Sequence, residues 1–430
     1  MSVPSGNTGR GGGSRELHTW KEIGEYLSVT PRTAQAWEQE RGLPVHRLPG
    51  GRGRVIAYTG EIDEWKRTVP VSNGAAPNGG KRWGRIGIGV GLAIGVVAAL
   101  IWAYLPRSGP GGFRVDGSTL VALDKGGKDL WRYPIPNQYH YTQHRTSREP
   151  QILLTDLDSD GRSEVLVNVE ANEPSPDRNA LLICLSPSGS ELWRFAPGRH
   201  VRSPVDEFPL PYRIPDFALI RTSPEAKPKI VVSSHHLILY ANQVALLDAM
   251  TGRIERQYWH SGALQRLVVH DADADGRPEI YLGGIHNGSK QAVLVVLDPE
   301  TMDGASVEGN PEYQLAGFAP GREIARVYFP ASCHTRKLGQ YNVAASLKPE
   351  SGGIEVAVWD PVPGADHVVH HYLLNADLSL RRMIEGDNYL GIHNSLRLAG
   401  FIDHDLTEGE RDAKRAIQVV RPGQAAPARR

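Results

Sequence analysis

The chain has few of the residues on which enzymes and disulfide scaffolds most often depend. Its 430 residues include only two cysteines, Cys184 and Cys333, and their separation matches no zinc or redox motif. We expect both to be buried small residues, since nothing in the sequence shows that they pair. The motifs GxSxG, HExxH, CxxC and GxxxxGK are all missing. Their absence argues against a serine hydrolase, a helical zinc protease, a dithiol centre and a phosphate-binding loop.

Histidine supplies no obvious metal site either. Two pairs of neighbouring histidines occur, His235–His236 and His370–His371. Adjacent residues on a strand point to opposite faces of its sheet, so neither pair can hold one ion between its two rings. With no catalytic constellation in view, the sequence predicts that the protein is not an enzyme.

Net charge is also missing, because 48 basic residues balance 48 acidic ones. The charge is nevertheless uneven, at roughly +5 over residues 1–85 and roughly −5 over the remainder. A basic N-terminal segment joined to an acidic remainder predicts two parts with different partners.

One long uncharged apolar stretch separates these parts. Ile86 to Leu105 contains no charged residue, which is the length of a helix that crosses a bilayer. We therefore predict a transmembrane helix over 83–105, after a linker at 68–82. Positive residues precede it, so residues before the span should be cytoplasmic. These features predict a single-pass protein of the bacterial inner membrane with its C-terminal part periplasmic or extracellular.

The same stretch carries small residues at a regular spacing. Gly87, Gly91 and Gly95 recur every four residues, which lets two helices approach closely in lipid. The spacing predicts a homodimer.

The segment before the predicted transmembrane helix has the start and stop signals of two short helices. Residues 1–15 are rich in glycine and serine and are predicted to be disordered. Thr19, followed by Glu22, forms the pattern of a capping box. Thr30 and Pro31 then open a second helix that Gly42 ends. Two helices joined by so short a turn predict a helix-turn-helix.

The second helix has one polar face. Arg32, Gln35 and Gln39 fall on the side opposite Ala34, where a recognition helix needs donors and acceptors for base edges. A strand-like hairpin follows, with Arg52 and Arg54 near its glycine-rich tip.

Residues 20–67, "WKEIGEYLSVTPRTAQAWEQERGLPVHR" with "GGRGR" and "EIDEW", resemble the winged helix-turn-helix of the excisionase and mercury-resistance-regulator group. The resemblance implies a DNA-binding domain over 16–67. The DNA contacts that it implies are Arg32, Thr33, Gln35 and Gln39 from the helix, and Arg52 and Arg54 from the wing. A protein adaptor is the alternative for such a small unit.

The segment after the span is repetitive. "DLDSDGRSEVLV" starts at Asp156, "DADADGRPEIYL" starts at Asp271, and a weaker copy starts at Asp403. A second phrase, two strands around a glycine turn, begins near residues 119, 181 and 244. A period of about sixty residues is typical of a repeat architecture.

The aspartate-rich phrase predicts two calcium sites. Aspartates at positions 1, 3 and 5 with glycine at position 6 are shared with the EF-hand calcium loop. The glutamate, however, stands at position 9 here and at position 12 in an EF-hand. A main-chain carbonyl and a later glutamate would complete each all-oxygen set. The first set is Asp156, Asp158, Asp160, Arg162 and Glu164, and the second is Asp271, Asp273, Asp275, Arg277 and Glu279.

These phrases resemble the FG-GAP repeats of integrin-alpha-type propellers, and the aromatic-ended hairpins are similar to quinoprotein blades. The resemblance implies an all-β propeller over 113–421, with about five blades and five to seven possible, before a disordered tail at 422–430. Predicted blades cover 150–197, 217–260, 265–308 and 324–384, and strands in 395–420 would join the hairpin 113–133 to close the ring.

The predicted fold class is therefore multidomain: a small α+β winged helix-turn-helix, one transmembrane helix and an all-β propeller. The corresponding function is a membrane-anchored transcriptional regulator that binds DNA inside and senses a ligand or partner outside. The alternative is a cell-envelope binding or adhesion protein with a calcium-binding propeller and a cytoplasmic adaptor domain.

Overall fold

The computed structural model describes residues 15–47, 55–68, 109–143, 151–223, 225–364, 366–422 and 424. The chain divides into two compact units, Met1–Val96 and Val97–Arg430. The predicted transmembrane helix, with Gly87, Gly91 and Gly95, lies outside the described residues. So does the predicted linker except for Thr68, and so do nearly all residues of the two predicted disordered tails.

The described residues of the N-terminal unit form three short helices and a small antiparallel sheet. Its elements are β1 (Glu16–Leu17), α1 (Trp20–Leu27), α2 (Pro31–Arg41), β2 (His46–Arg47), β3 (Val55–Tyr58) and α3 (Thr59–Thr68). The strand order is β1-β3-β2.

Local chemistry fixes where these helices begin and end. The Thr19 hydroxyl accepts the Glu22 N–H, and the Thr30 hydroxyl accepts the Thr33 N–H, each at 3.2 Å. These bonds satisfy backbone donors that the first turn of a helix leaves open. Gly42 ends α2 with φ +64°, a left-handed conformation that glycine adopts without a steric cost. The helix boundaries are therefore set by neighbours in the sequence.

The core of this unit joins the sheet to all three helices. Its buried residues are Leu17, Ile23, Ala34, Leu43, Val55, Ala57 and Ile62. Ala34 is the one fully buried residue of α2, so a single side of that helix packs on the unit and the other remains exposed.

In the C-terminal unit, the residues that the structure describes form five principal antiparallel sheets, numbered here in chain order. Sheet 1 contains β4 (Gly112–Asp116), β5 (Thr119–Leu123) and β6 (Asp129–Pro134). Sheet 2 contains β7 (Tyr139–Tyr141), β8 (Ile152–Thr155), β9 (Glu164–Ala171), β10 (Leu181–Leu185) and β11 (Glu191–Phe195). A two-stranded ribbon, β12 (Val201–Arg202) and β13 (Glu207–Phe208), follows it.

The next two sheets follow this ribbon in the chain. Sheet 3 contains β14 (Tyr212–Ile220), β15 (Lys229–His236), β16 (Asn242–Asp248) and β17 (Ile254–His260). Sheet 4 contains β18 (Leu264–His270), β19 (Glu279–His286), β20 (Gln291–Leu297) and β21 (Ala325–Phe329). A short 3-10 helix, Pro311–Tyr313, lies between β20 and β21 in the chain.

Sheet 5 and three helices complete the unit. The sheet contains β22 (Val343–Glu350), β23 (Gly353–Asp360), β24 (Val368–Asn375) and β25 (Leu380–Ile384). The helices are α4 (Cys333–Lys337), α5 (Tyr389–Leu398) and α6 (Glu408–Arg415), and the last described strand is β26 (Gln418–Val420).

Neighbouring sheets pack face to face through shared apolar clusters. Val244 of sheet 3 and Leu282 of sheet 4 belong to one cluster, and Val327 of sheet 4 and Val356 of sheet 5 belong to the next. Inner strands such as β16 and β20 are buried on both faces, which explains their continuous apolar sequences. Each inner sheet is therefore covered on both sides.

A repeated tryptophan contact fixes the first three sheets together. The Trp131 indole N–H donates to the Pro187 carbonyl at 2.9 Å, and the Trp193 indole N–H donates to the Ala249 carbonyl at 3.0 Å. Both rings cover a glycine with positive φ, at which a Cβ atom would lie 2.6 and 2.5 Å from the ring. The sequence repeat of about sixty residues is thus a repeat of this contact.

The structure corrects the predicted fold class. The described residues are mostly β with six short α-helices, and they form no closed propeller. The stretch 113–133, predicted as a hairpin that needs partners from 395–420, lies within the three strands β4, β5 and β6 of sheet 1. β26 pairs with β21 of sheet 4 instead of closing a ring.

The predicted strand region 395–420 contains the end of α5 and all of α6, and among its residues only Gln418–Val420 form a strand. The Thr407 hydroxyl accepts the Glu410 N–H at 3.2 Å, and the Glu410 carboxylate accepts the Thr407 N–H at 3.0 Å. This capping box starts α6, so the phrase interpreted as a third repeat instead carries a helix-start signal.

The single-pass membrane localisation is corrected as well. No helix in the part of the chain that the structure describes is long and apolar enough to cross a membrane. The predicted span at 83–105 falls outside that part.

We expect Trp193→Ala to lower the free energy of unfolding by about 3–5 kcal/mol, because it empties a buried site between sheets 2 and 3. Chemical denaturation of the full chain, followed by near-UV circular dichroism, measures this. Trp359→Ala is the matched control, since that ring is 38% exposed. Equal losses in the two variants would contradict the role given to the repeated contact.

Candidate functional site

The exposed face of α2 is the first candidate site. Arg32, Gln35 and Gln39 are exposed and lie on the side of the helix away from Ala34. Thr33 is only half exposed, and its hydroxyl lies 2.8 Å from that of Thr30, so it takes part in the helix cap. The face available to a partner therefore consists of one guanidinium and two amides.

Acidic charge close to this face is partly neutralised. The Arg47 guanidinium donates to both carboxylate oxygens of Glu38, at 3.1 and 3.0 Å. The predicted wing residues Arg52 and Arg54 lie outside the described residues. The described part of the unit thus offers a polar face on α2 with a local ion pair beside it.

The first aspartate-rich loop joins β8 to β9. One carboxylate oxygen from each of Asp156, Asp158 and Glu164 lies within 4.8 Å of the others. Glu164 is buried and accepts the Leu157 N–H at 2.8 Å, and burial raises the pKa of its carboxyl. Three oxygens converge, one of them from a buried side chain.

Asp160 does not join that group. Its carboxylate accepts from the Arg162 guanidinium at 2.6 Å, and this bond lowers the pKa of Asp160. The first aspartate-rich loop therefore brings together only part of the predicted set of five calcium ligands.

The second loop, between β18 and β19, has the same backbone plan. Asp271 accepts the Gly276 N–H at 2.8 Å, as Asp156 accepts the Gly161 N–H at 2.9 Å. Here the three converging carboxylates are those of Asp271, Asp273 and Asp275.

Glu279 is not one of the three converging carboxylates of the second aspartate-rich loop. Its carboxylate accepts from the Tyr281 hydroxyl at 3.3 Å, and burial raises the pKa of its carboxyl. Arg277 donates its backbone N–H to Asp275 at 2.8 Å, which closes the turn. The two loops therefore share an acidic turn but differ in which carboxylates meet.

The adjacent histidines occupy separate environments, as the strand alternation predicts. His370 is fully buried with its Nε2 atom 3.5 Å from Asp360 Oδ2, whereas His371 Nδ1 lies 2.7 Å from Glu355 Oε1. The Leu239 N–H donates to Nδ1 of His236 at 2.9 Å. Each of these rings has its own local neighbours.

A cleft opens between residues of sheets 2 and 3. It has a volume of about 410 Å³, and its lining includes His140, Glu170, Arg213 and His235. Arg213 pairs with Glu170 across the two sheets. The lining is polar and carries charges of both signs.

A further cluster, which no sequence motif indicates, lies among the last three helices of the C-terminal unit. Four residues each place a ligand atom within 4.8 Å of the others: Cys333 on α4, His393 on α5, His404 in the connection between α5 and α6, and Glu410 on α6. Burial, with the Glu410 carboxylate beside it, raises the pKa of the Cys333 thiol to about 12. Cysteine spacing alone could not reveal this group, because its members come from separate elements. Both cysteines are buried and free.

Comparison with known proteins gives little. No protein-family profile and no curated protein matches the chain. The C-terminal domain of PilY1 from Pseudomonas aeruginosa is similar with a TM-score of 0.34 and 14% identity, over 61% of this chain and 56% of that domain. A protein of unknown function from Bacteroides caccae has a TM-score of 0.26 and 10% identity, over 65% of this chain and 92% of that one.

This chain therefore spans little more than half of the PilY1 domain, and neither likeness is strong enough to support an argument. The two expected family resemblances, to winged helix-turn-helix regulators and to FG-GAP propellers, are wrong as family assignments, since no match supports either. The comparisons also give no support for DNA binding. Helix caps and aspartate-rich turns are local solutions that unrelated folds share, so they do not establish descent.

We expect calcium to raise the melting temperature of the full chain, and Asp158→Asn/Asp273→Asn to remove most of that increase. Each asparagine keeps the side-chain oxygen that accepts a turn N–H but loses the charge that attracts a cation. Differential scanning calorimetry in calcium and in chelator measures this. Asp377→Asn is the control, since Asp377 serves an ordinary turn at Ser379. An unchanged calcium response in the double variant would rule out binding at these loops.

Proposed function

We propose that this chain is a DNA-binding regulator, in which the N-terminal unit contacts DNA and the C-terminal unit binds a ligand or partner. One observation carries the proposal: α2, which a short turn joins to α1, buries Ala34 and leaves Arg32, Gln35 and Gln39 exposed. The proposal rests on this geometry and on no family assignment or membrane anchor.

The chemistry of the exposed face suits base recognition. An arginine can donate two hydrogen bonds to the major-groove edge of guanine, and a glutamine can pair with adenine. Arg32 lies in the first turn of α2 and Gln35 one turn later, where recognition helices contact bases. The short capped turn between α1 and α2 holds this face away from the core.

A unit of this size makes few phosphate contacts, and affinity for DNA increases with their number. We therefore propose that the regulator acts as a homodimer that places two α2 helices on neighbouring half-sites.

The C-terminal unit supplies the binding part of the proposal. Its cleft presents the Arg213–Glu170 pair and His140 to solvent, which suits a polar ligand. Calcium in the two aspartate-rich loops would stabilise the turns that precede β9 and β19, because a cation offsets repulsion among converging carboxylates. This role for calcium is structural.

The alternative is a binding protein in which α2 contacts another protein. The same exposed face would then serve an adaptor, and DNA affinity decides between the two.

We expect the full chain to enrich a common motif from fragmented genomic DNA, and Arg32→Ala/Gln35→Ala to lose that enrichment. Loss of direct base contacts should weaken binding to the motif at least tenfold while general attraction to DNA changes less. Capture followed by sequencing, with titration of the recovered motif by fluorescence anisotropy, measures both.

Arg253→Ala is the charge-matched control, because it removes an exposed arginine from the C-terminal unit. A folded chain that recovers no common motif would contradict DNA recognition and favour the adaptor.

A further inference from the structure

We propose that Cys333, His393, His404 and Glu410 form a zinc site. One sulfur, two imidazole rings and one carboxylate place their ligand atoms within 4.8 Å of one another. This is independent of the aspartate-rich loops and of the function proposed for α2.

The donor set matches zinc better than calcium or magnesium. Thiolate and imidazole are ligands of a borderline-soft ion, whereas calcium and magnesium take oxygen donors almost exclusively. Tetrahedral zinc with bonds of about 2.0–2.3 Å needs its ligand atoms roughly 3.5 Å apart. The four groups reach that arrangement through side-chain adjustments on the order of 1 Å.

A second observation points to a ligand at this place. His393 is fully buried, and neither ring nitrogen has a hydrogen-bond partner among the described residues. A buried polar group without a partner is costly and calls for an explanation. A metal ion bound by one nitrogen supplies the missing partner.

Hydrogen bonds from neighbouring residues orient two of the proposed ligands, His404 and Glu410. His404 Nδ1 lies 2.8 Å from Asp403 Oδ1, while its Nε2 lies 3.1 Å from Glu410 Oε1. An imidazole whose far nitrogen donates to a carboxylate is the usual arrangement for a metal-binding histidine. Asp403 also accepts from Lys337 at 3.1 Å, which fixes the carboxylate in turn.

Glu410 is oriented in the same way. Its Oε2 accepts the Thr407 N–H at 3.0 Å and the Thr407 hydroxyl at 3.1 Å. Its Oε1 faces His404. The capping box of α6 therefore leaves one carboxylate oxygen directed into the cluster.

Binding requires the cysteine to lose its proton. The Cys333 thiol gives a proton to solvent as the sulfur–zinc bond forms, and no oxidant or reductant takes part. The affinity for zinc should thus increase with pH until protons no longer compete with zinc for the Cys333 sulfur.

Four protein ligands leave no open position, so the site is structural. It ties together α4, α5 and α6, which contain only 5, 10 and 8 residues. Helices this short have little stability alone, and a shared ion would fix all three.

The test uses the purified full chain, stripped with a zinc-selective chelator and reloaded with zinc in excess calcium. Elemental analysis after desalting should give about one zinc per chain. Cobalt loading should give the strong visible bands of a tetrahedral site and a thiolate-to-metal charge-transfer band. Less than about a tenth of an equivalent of zinc, or octahedral cobalt without the thiolate band, overturns the proposal.

Variants assign the ligands. Cys333→Ala should lose the thiolate band and lower zinc affinity at least tenfold, and Cys184→Ala, at the other buried cysteine, should retain both. Glu410→Gln keeps an oxygen able to cap α6 and should weaken zinc at least tenfold. Should Cys333→Ala fail to fold, the cobalt spectrum of the unmodified chain still decides. Full zinc affinity in both folded variants contradicts the site.

Discussion

The C-terminal unit depends on one constraint: its inner strands are apolar on both faces and cannot face water on either. Strands β19 and β20 are buried almost throughout, so each sheet that contains such strands needs a neighbour on each side. Burial of apolar area is the largest favourable contribution to folding. A sequential stack of sheets satisfies this requirement with connections between neighbours in the chain.

The tryptophan contacts give the stack its regularity. Trp131 and Trp193 each reach the outer turn of the following sheet and cover a glycine there. A side chain at that glycine would displace the ring, so the turn and the tryptophan must be retained together. Loops away from these contacts are free to differ, and the two aspartate-rich turns and the cluster at Cys333 lie in such places.

Much of the local structure could be predicted from the sequence. The Thr19 and Thr30 caps, Pro31 and Gly42 placed α1 and α2 within a residue or two, because these signals act over one helical turn. The repeated strand–turn–strand phrases correspond to β5–β6, β10–β11 and β16–β17. Helix caps and strands could be predicted because they depend on residues that are close together in the sequence.

Long-range pairing could not be predicted in the same way. Nothing near Gln418 shows that β26 pairs with β21, because the two strands lie far apart in the chain. The Thr407 capping box lies within the weak aspartate-rich phrase at Asp403, so the likeness to a repeat conceals the start of α6. No sequence motif indicates the Cys333 cluster, because its ligands meet only where α4, α5 and α6 pack together.

Hydrogen–deuterium exchange on the full chain tests the central claim most directly. If burial on both faces holds the C-terminal unit together, amides of β9, β15, β16, β19 and β20 should exchange slowest and open together. The edge strands β4 and β25 should exchange faster. Equal protection of edge and inner strands, or rapid exchange within β15 and β16, would contradict the account.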